Sequence, residues 1–183
     1  NAIVTCSSHN MASEKQFRNP TEYGAPKKIY STFTTTGSAS IFLSNEKGTV
    51  KVESGTIGSV VDMGITDVNN MGAVMASSCA KTIYEHLSDT KRDASYYDLI
   101  LTGDLGCVGK NILLEYLEKE YNIKLDNLED SACLIYDLNN KKYLQGGSGI
   151  ACLPLVFSSY IFKDIGIKYK KILLVATGSL HNT

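Results

Sequence analysis

The hydrophobic pattern of this chain switches between a period of two and a period near 3.6, and each switch marks an element. Residues 2–6 (Ala2, Ile3, Val4, Thr5, Cys6) form an apolar, β-branched run that predicts a buried strand. Residues 11–25 are polar, aromatic and turn-rich, the composition of a loop with a short helical piece. Residues 32–43 are dense in Thr, Ser and β-branched side chains, and Ser40, Ile41, Phe42 and Leu43 carry the strongest strand signal. Asn45, Glu46, Lys47 and Gly48 end it. Val50, Val52 and Ile57 then alternate with polar neighbours, which predicts another strand over 49–59.

After Asn69 and Asn70, a plausible cap, the period lengthens. Val74, Ser78 with Cys79, Thr82 with Ile83, and His86 with Leu87 recur at helical spacing. Residues 97–102 predict a short buried strand, 103–109 a turn, and Ile112, Leu113, Tyr116, Leu117 and Tyr121 an amphipathic helix with Glu115, Glu118, Lys119 and Glu120 on its polar side. The Gly146, Gly147, Ser148, Gly149 turn feeds an apolar helix over 150–163, with Pro154 in its first turn. Residues 171–177 predict the last strand. Strands alternating with helices argue an α/β layered fold with a parallel or mixed sheet. The runs at 2–9 and 173–180 share an apolar strand entering a small, polar turn, as two equivalent places in a duplicated unit would.

Composition narrows the function classes. The 183 residues carry 18 basic and 19 acidic side chains, a net charge of −1, which argues against a nucleic-acid groove. No window nears the ~20 apolar residues of a membrane span, and the mean hydropathy is −0.08. Five cysteines, an odd number without a C-x-x-C pair, favour free thiols in a reducing compartment. The opening residues Asn1 to Cys6 carry neither an initiator Met nor a signal peptide, so the chain reads as part of something longer.

Several positions offer chemistry. Cys6 stands three residues before His9 at a strand end: a nucleophile–base pair on one reading, a buried thiol beside a polar loop on the other. His9 also suits a hydrogen-bonding role in a pocket. Arg18 is suited to holding a carboxylate bidentately, with Phe17 or Tyr23 offering a ring, and the same residues also fit an exposed loop. Asp104 lies between a strand and a helix, where α/β folds build sites and where a cap is equally at home. Gly147 and Ser148 lie in a turn that lets backbone N–H groups approach an anion, although Walker and dinucleotide spacings are absent. His9, His86 and His181 are far apart, so no metal site is expected.

Taken together, the segments resemble the thiolase superfamily, a duplicated, five-layered α-β-α-β-α fold. The small-residue strand at 35–43 is similar to the one closing its first half, and the stretches 99–106 and 146–154 to the catalytic loops of its second half. Three motifs resemble the stage V sporulation protein AD family within it. The first comprises Thr5, Cys6, Ser7, Ser8 and His9 with Glu14, Gln16, Phe17, Arg18 and Glu22, Tyr23, Gly24. The second is Val61, Asp62, Met63, Gly64 with Asn70, Met71, Gly72. The third runs from Leu101 to Gly109. The resemblance implies an incomplete portion of the fold, with 1–47 ending the N-terminal half and 48–183 forming most of the C-terminal half.

It also implies a function: a non-catalytic subunit that binds dipicolinic acid, alone or as its calcium chelate, while sporulation machinery moves it into the developing spore. His9, Arg18, Tyr23, Asp104, Gly147 and Ser148 are the implied ligand-binding residues. Condensing enzymes of the superfamily carry a His and an Asn where this chain has Asp104 and Gly147, so no catalytic residue, cofactor or metal is expected. Implied partners are membrane subunits of the stage V sporulation A complex, and the other half of the same protein or a second copy. The implied location is peripheral, on the spore inner membrane of a spore-forming bacterium, without a transmembrane segment. An acyl-transferring enzyme acting on thioesters is the alternative, and a scaffold with a vestigial pocket a third.

Overall fold

The computed structural model of the chain describes residues 1–11, 29–67 and 69–179. Its first strand, β1 (Ala2–Ser8), is followed by the two-residue β2 (Phe33–Thr34) and by β3 (Gly37–Leu43). β1 and β3 pair antiparallel, from Ala2 opposite Leu43 to Ser8 opposite Gly37. The strand is where its apolar run predicts, but it is not buried: Ile3 is 71% and Val4 55% exposed. The reason is that the pair forms a two-stranded sheet of its own among the described residues.

Residues 49–61 correct a second expectation, because no strand forms there. Alternation becomes a strand only where a neighbouring edge supplies ladder partners. Here side chains make the attachments instead. Glu53 accepts from Lys171 Nζ at 2.7 Å and from Tyr96 Oη at 3.0 Å. Val52, Ile57 and Val60 remain largely exposed.

Helix α1 (Met71–Thr90) begins at the predicted cap, where Asn70 Oδ1 accepts from Ala73 N at 3.3 Å. Its buried stripe is Met75, Ala76, Cys79, Ala80, Ile83 and Leu87, the helical period expected of a core-facing side. Next come β4 (Leu99–Thr102), α2 (Gly106–Tyr121) and β5 (Leu128–Asp130), which runs directly into the short α3 (Ser131–Ile135). α2 starts three residues inside the expected turn. Its first turn crosses that of α1 closely, since a Cβ on Gly109 would lie 2.8 Å from Gly72 Cα.

The two-residue β6 (Gly147–Ser148) pairs parallel with β2, so the glycine-rich turn is partly sheet. α4 (Cys152–Val156) has Pro154 in its first turn, as predicted, but the expected long helix changes character after it. Residues Phe157–Ile161 form a π turn and Phe162–Asp164 a 3₁₀ turn. Ser159 Oγ donates to Leu155 O at 2.6 Å, a side-chain bond to the carbonyl one turn back that bends a helix. β7 (Ile172–Val175) is the last strand.

β5, β4 and β7 form a parallel sheet in that order. Ile100, Leu128 and Val175 join one core with α1 and α2. Leu99 and Leu101 point the other way, against Val156 and Ile161. The fold is therefore mixed α/β, with helices on both faces of this sheet. All four residues of β4 are buried, and burying Ile100 or Leu101 contributes about 1.5–3 kcal/mol each. That burial fixes where the carboxyl end of β4 lies.

Candidate functional site at the end of β4

Strand β4 ends at Thr102, and Gly103 to Leu105 carry the chain into α2. Asp104 projects from this loop, and its Oδ2 accepts from Gly149 N at 2.8 Å. The bond ties the loop to the end of β6, so Asp104, Gly147 and Ser148, singled out separately in the sequence, belong to one neighbourhood. Burial raises the Asp104 pKa, and the Gly149 N–H opposes that rise by favouring the carboxylate.

The glycine-rich turn is shaped by close approach. A Cβ on Gly147 would lie 2.5 Å from Ile135 Cγ2 and 2.8 Å from Thr35 Oγ1. Gly146 has φ of +82°, and a Cβ there would fall 1.9 Å from Ala132 O. Ser148 is half-buried and its carbonyl accepts from Thr35 N at 2.9 Å. Phe33, beside Gly147 in the ladder, packs edge-on against Tyr136 and Tyr143, which stack at 4.3 Å.

Asp130 supports this arrangement, and the sequence reading did not find it. It is fully buried at the end of β5. Its Oδ2 accepts from Thr102 Oγ1 at 2.7 Å and Leu105 N at 3.2 Å. Its Oδ1 accepts from Gly106 N and from Ala132 N, both at 3.1 Å. Desolvation pushes its pKa up to about 6, against the pull of these donors. The local signal was its place before Ser131 and Ala132 as a helix cap. Its contacts across the sheet leave no trace in residue order.

Two hydroxyls flank the loop. Thr177 Oγ1 is buried, lies against Gly103 and has no hydrogen-bond partner among the described residues. Thr35 faces Gly147, and its hydroxyl interacts with the Tyr136 hydroxyl and the Cys152 thiol. Burial without a partner costs about 1–3 kcal/mol, so the Thr177 hydroxyl marks a place where a polar ligand would be favoured.

The other expected residues fall differently. His9 is exposed, although its neighbours reach the site: Ser8 Oγ donates to Thr35 O and Asn10 Nδ2 to Thr34 O. Arg18 and Tyr23, with Phe17, lie outside the described residues. Cys6 is a half-buried strand residue opposite Ala39. His86 is buried in α1, with Nδ1 2.8 Å from Thr56 Oγ1 and Nε2 2.6 Å from Tyr97 Oη, so it is a packed core histidine. Its pKa is lowered, first by desolvation. Among the described residues no group of three or more His, Cys, Asp or Glu is placed to hold a metal.

A 630 Å³ cavity lies elsewhere, between residues 49–58, α1 and β7, and none of the expected site residues lines it. Lys171, Arg92 and His86 contribute to its wall. Glu53 already pairs with Lys171 and with Arg92 at 3.4 Å, which reduces the net positive charge there.

Fold and site together define a mixed α/β protein with a polar cluster at a strand carboxyl end. Residues 1–183 match the family of stage V sporulation protein AD. The chain is 42% identical over 180 residues to stage V sporulation protein AD of Bacillus subtilis (strain 168), covering 98% of this chain and 53% of that relative. The chain belongs to the stage V sporulation protein AD family, and its role lies in sporulation. It spans about half the length of the curated relative it matches.

Proposed function

We propose that this chain is part of a non-catalytic subunit that binds dipicolinic acid, alone or with calcium, for transfer into the developing spore. In this reading its fold is a portion of a thiolase-like layered architecture, with 1–47 from one half and 48–183 from the other. The observation that carries the site is the buried Thr177 hydroxyl, without a partner among the described residues, against the loop whose Asp104 holds Gly149 N. Dipicolinate is a flat aromatic diacid. Its carboxylates accept hydrogen bonds from hydroxyl and backbone N–H donors, and Phe33, Tyr136 and Tyr143 offer aromatic surface next to β6.

The crowding at Gly147 supports a binding role over condensing chemistry, because an Asn side chain there would displace Ile135 and Thr35. Asp104 in place of a general-base His supports the same conclusion. The protein acts peripherally at the spore inner membrane with membrane-embedded partners, and no helix among the described residues is long and apolar enough to cross a membrane. Ile3 and Phe42 on one face of the β1–β3 pair, and Val4 and Leu43 on the other, are exposed apolar side chains that another part of the same protein, or a second copy, covers.

The test compares variants at the β4 loop and at the cavity. Ser148→Ala weakens dipicolinate binding by about tenfold, the loss of one hydrogen bond to a carboxylate, while Lys171→Ala leaves it unchanged. Weakening by Lys171→Ala alone would move the ligand to the 630 Å³ cavity. An acyl adduct on the protein after incubation with a thioester, with no dipicolinate binding, would replace this reading with acyl transfer.

A further inference from the structure

We propose that Cys107 and Cys133 form a dithiol–disulfide redox site that joins the start of α2 to α3. Their Sγ atoms are 2.7 Å apart, although 26 positions separate them in sequence. One carboxylate oxygen holds both sulfurs in place. Asp130 Oδ1 accepts from the N–H of Gly106, the residue before Cys107, and from that of Ala132, the residue before Cys133. The frame is braced again at Gln145, whose Oε1 accepts from Val108 N at 3.0 Å. Both thiols are half-buried, as is Cys6 on β1, whereas Cys79 and Cys152 are buried.

The two sulfurs differ in character. Cys107 is the second residue of the 16-residue α2, where a helix N-terminus favours a thiolate, and Lys110 lies one turn on. Its pKa is lowered, first by the hydrogen bond with Cys133 and then, more weakly, by Lys110. The Cys133 thiol is pushed up by the same hydrogen bond and by burial. Cys107 is thus the attacking group and Cys133 the resolving one.

The oxidant is a low-molecular-weight disulfide, RS–SR. The Cys107 thiolate attacks one of its sulfurs, forming a mixed disulfide and expelling one RS⁻, which takes up the Cys107 proton. Cys133, as its thiolate, then attacks Cys107 Sγ, and the second RS⁻ leaves with the Cys133 proton. Two protein thiols are oxidised to one disulfide, and RS–SR is reduced to two RSH. The new bond locks the loop carrying Asp104 to α3 and leaves the buried thiols untouched.

The native protein incubated with oxidised glutathione, quenched in acid, denatured and alkylated provides the test. Two of the five thiols are lost, leaving three, and dithiothreitol restores them. Peptide mass mapping finds Cys107 linked to Cys133 with a loss of two hydrogens and no retained glutathione. Cys133→Ser halts the reaction at a glutathione adduct on Cys107. Five persistent thiols, a lasting glutathione adduct on Cys107 or Cys133 of the unmutated protein, or a bond between other cysteines would overturn the proposal. The peptide map of the unmutated protein decides the matter even if the variant fails to fold.

Discussion

A single residue, Asp130, connects the sheet to the candidate site. Its four donors come from the end of β4, the first turn of α2 and the start of α3. Replacing it with Asn turns one acceptor oxygen into a donor facing backbone N–H groups, and Asp130→Asn destabilises by about 2–4 kcal/mol in denaturant unfolding. The pH dependence has a definite sign. Its folded pKa of about 6 lies above the unfolded value of about 3.9. Between those values the folded state binds more protons, so this residue stabilises the fold as pH falls through that window and loses the contribution as pH rises past 6. Unfolding at pH 7 and pH 5 therefore shows the gap between the unmutated protein and Asp130→Asn widening at pH 5, by about 1.3 kcal/mol. A gap that narrows would contradict the assignment.

At the scale of elements, legibility followed the range of the interactions. α1 could be read to its first residue because a cap and a 3.6 period are local. β4 was legible as an apolar run, and Asp104 because a strand end entering a glycine turn is a local pattern. β5 has three residues, two of them acidic, and is a strand because β4 lies beside it. Residues 49–59 show the converse, with the right alternation but no ladder, because a cavity lies between them and β7. The Asp104–Gly149 bond and the placing of Thr177 against Gly103 arise from contacts between distant segments, which residue order does not record. The turn at 146–149 was legible as glycine-rich but not as sheet. Its geometry makes a firm prediction: Gly146→Ala requires a left-handed residue against Ala132 O and costs more than about 2 kcal/mol in thermal or chemical unfolding. A loss below half that amount would mean that the turn rearranges without difficulty.

On the scale of the whole molecule, two expectations rest on different observations. The exposed apolar side chains of β1 and β3 predict association: light scattering finds a mass above 19.9 kDa that falls towards it in Ile3→Thr with Phe42→Ser. A monomer at every concentration would count against a covered β1–β3 face. The ligand reading rests on the polar cluster of Asp104, Ser148 and Thr177. Calorimetric titration of dipicolinate into the protein, with and without calcium and with acetyl-coenzyme A for comparison, tests it most directly. The account predicts saturable heat with dipicolinate that weakens in Ser148→Ala, and none with the thioester. Heat with the thioester alone, or with neither ligand, would contradict it.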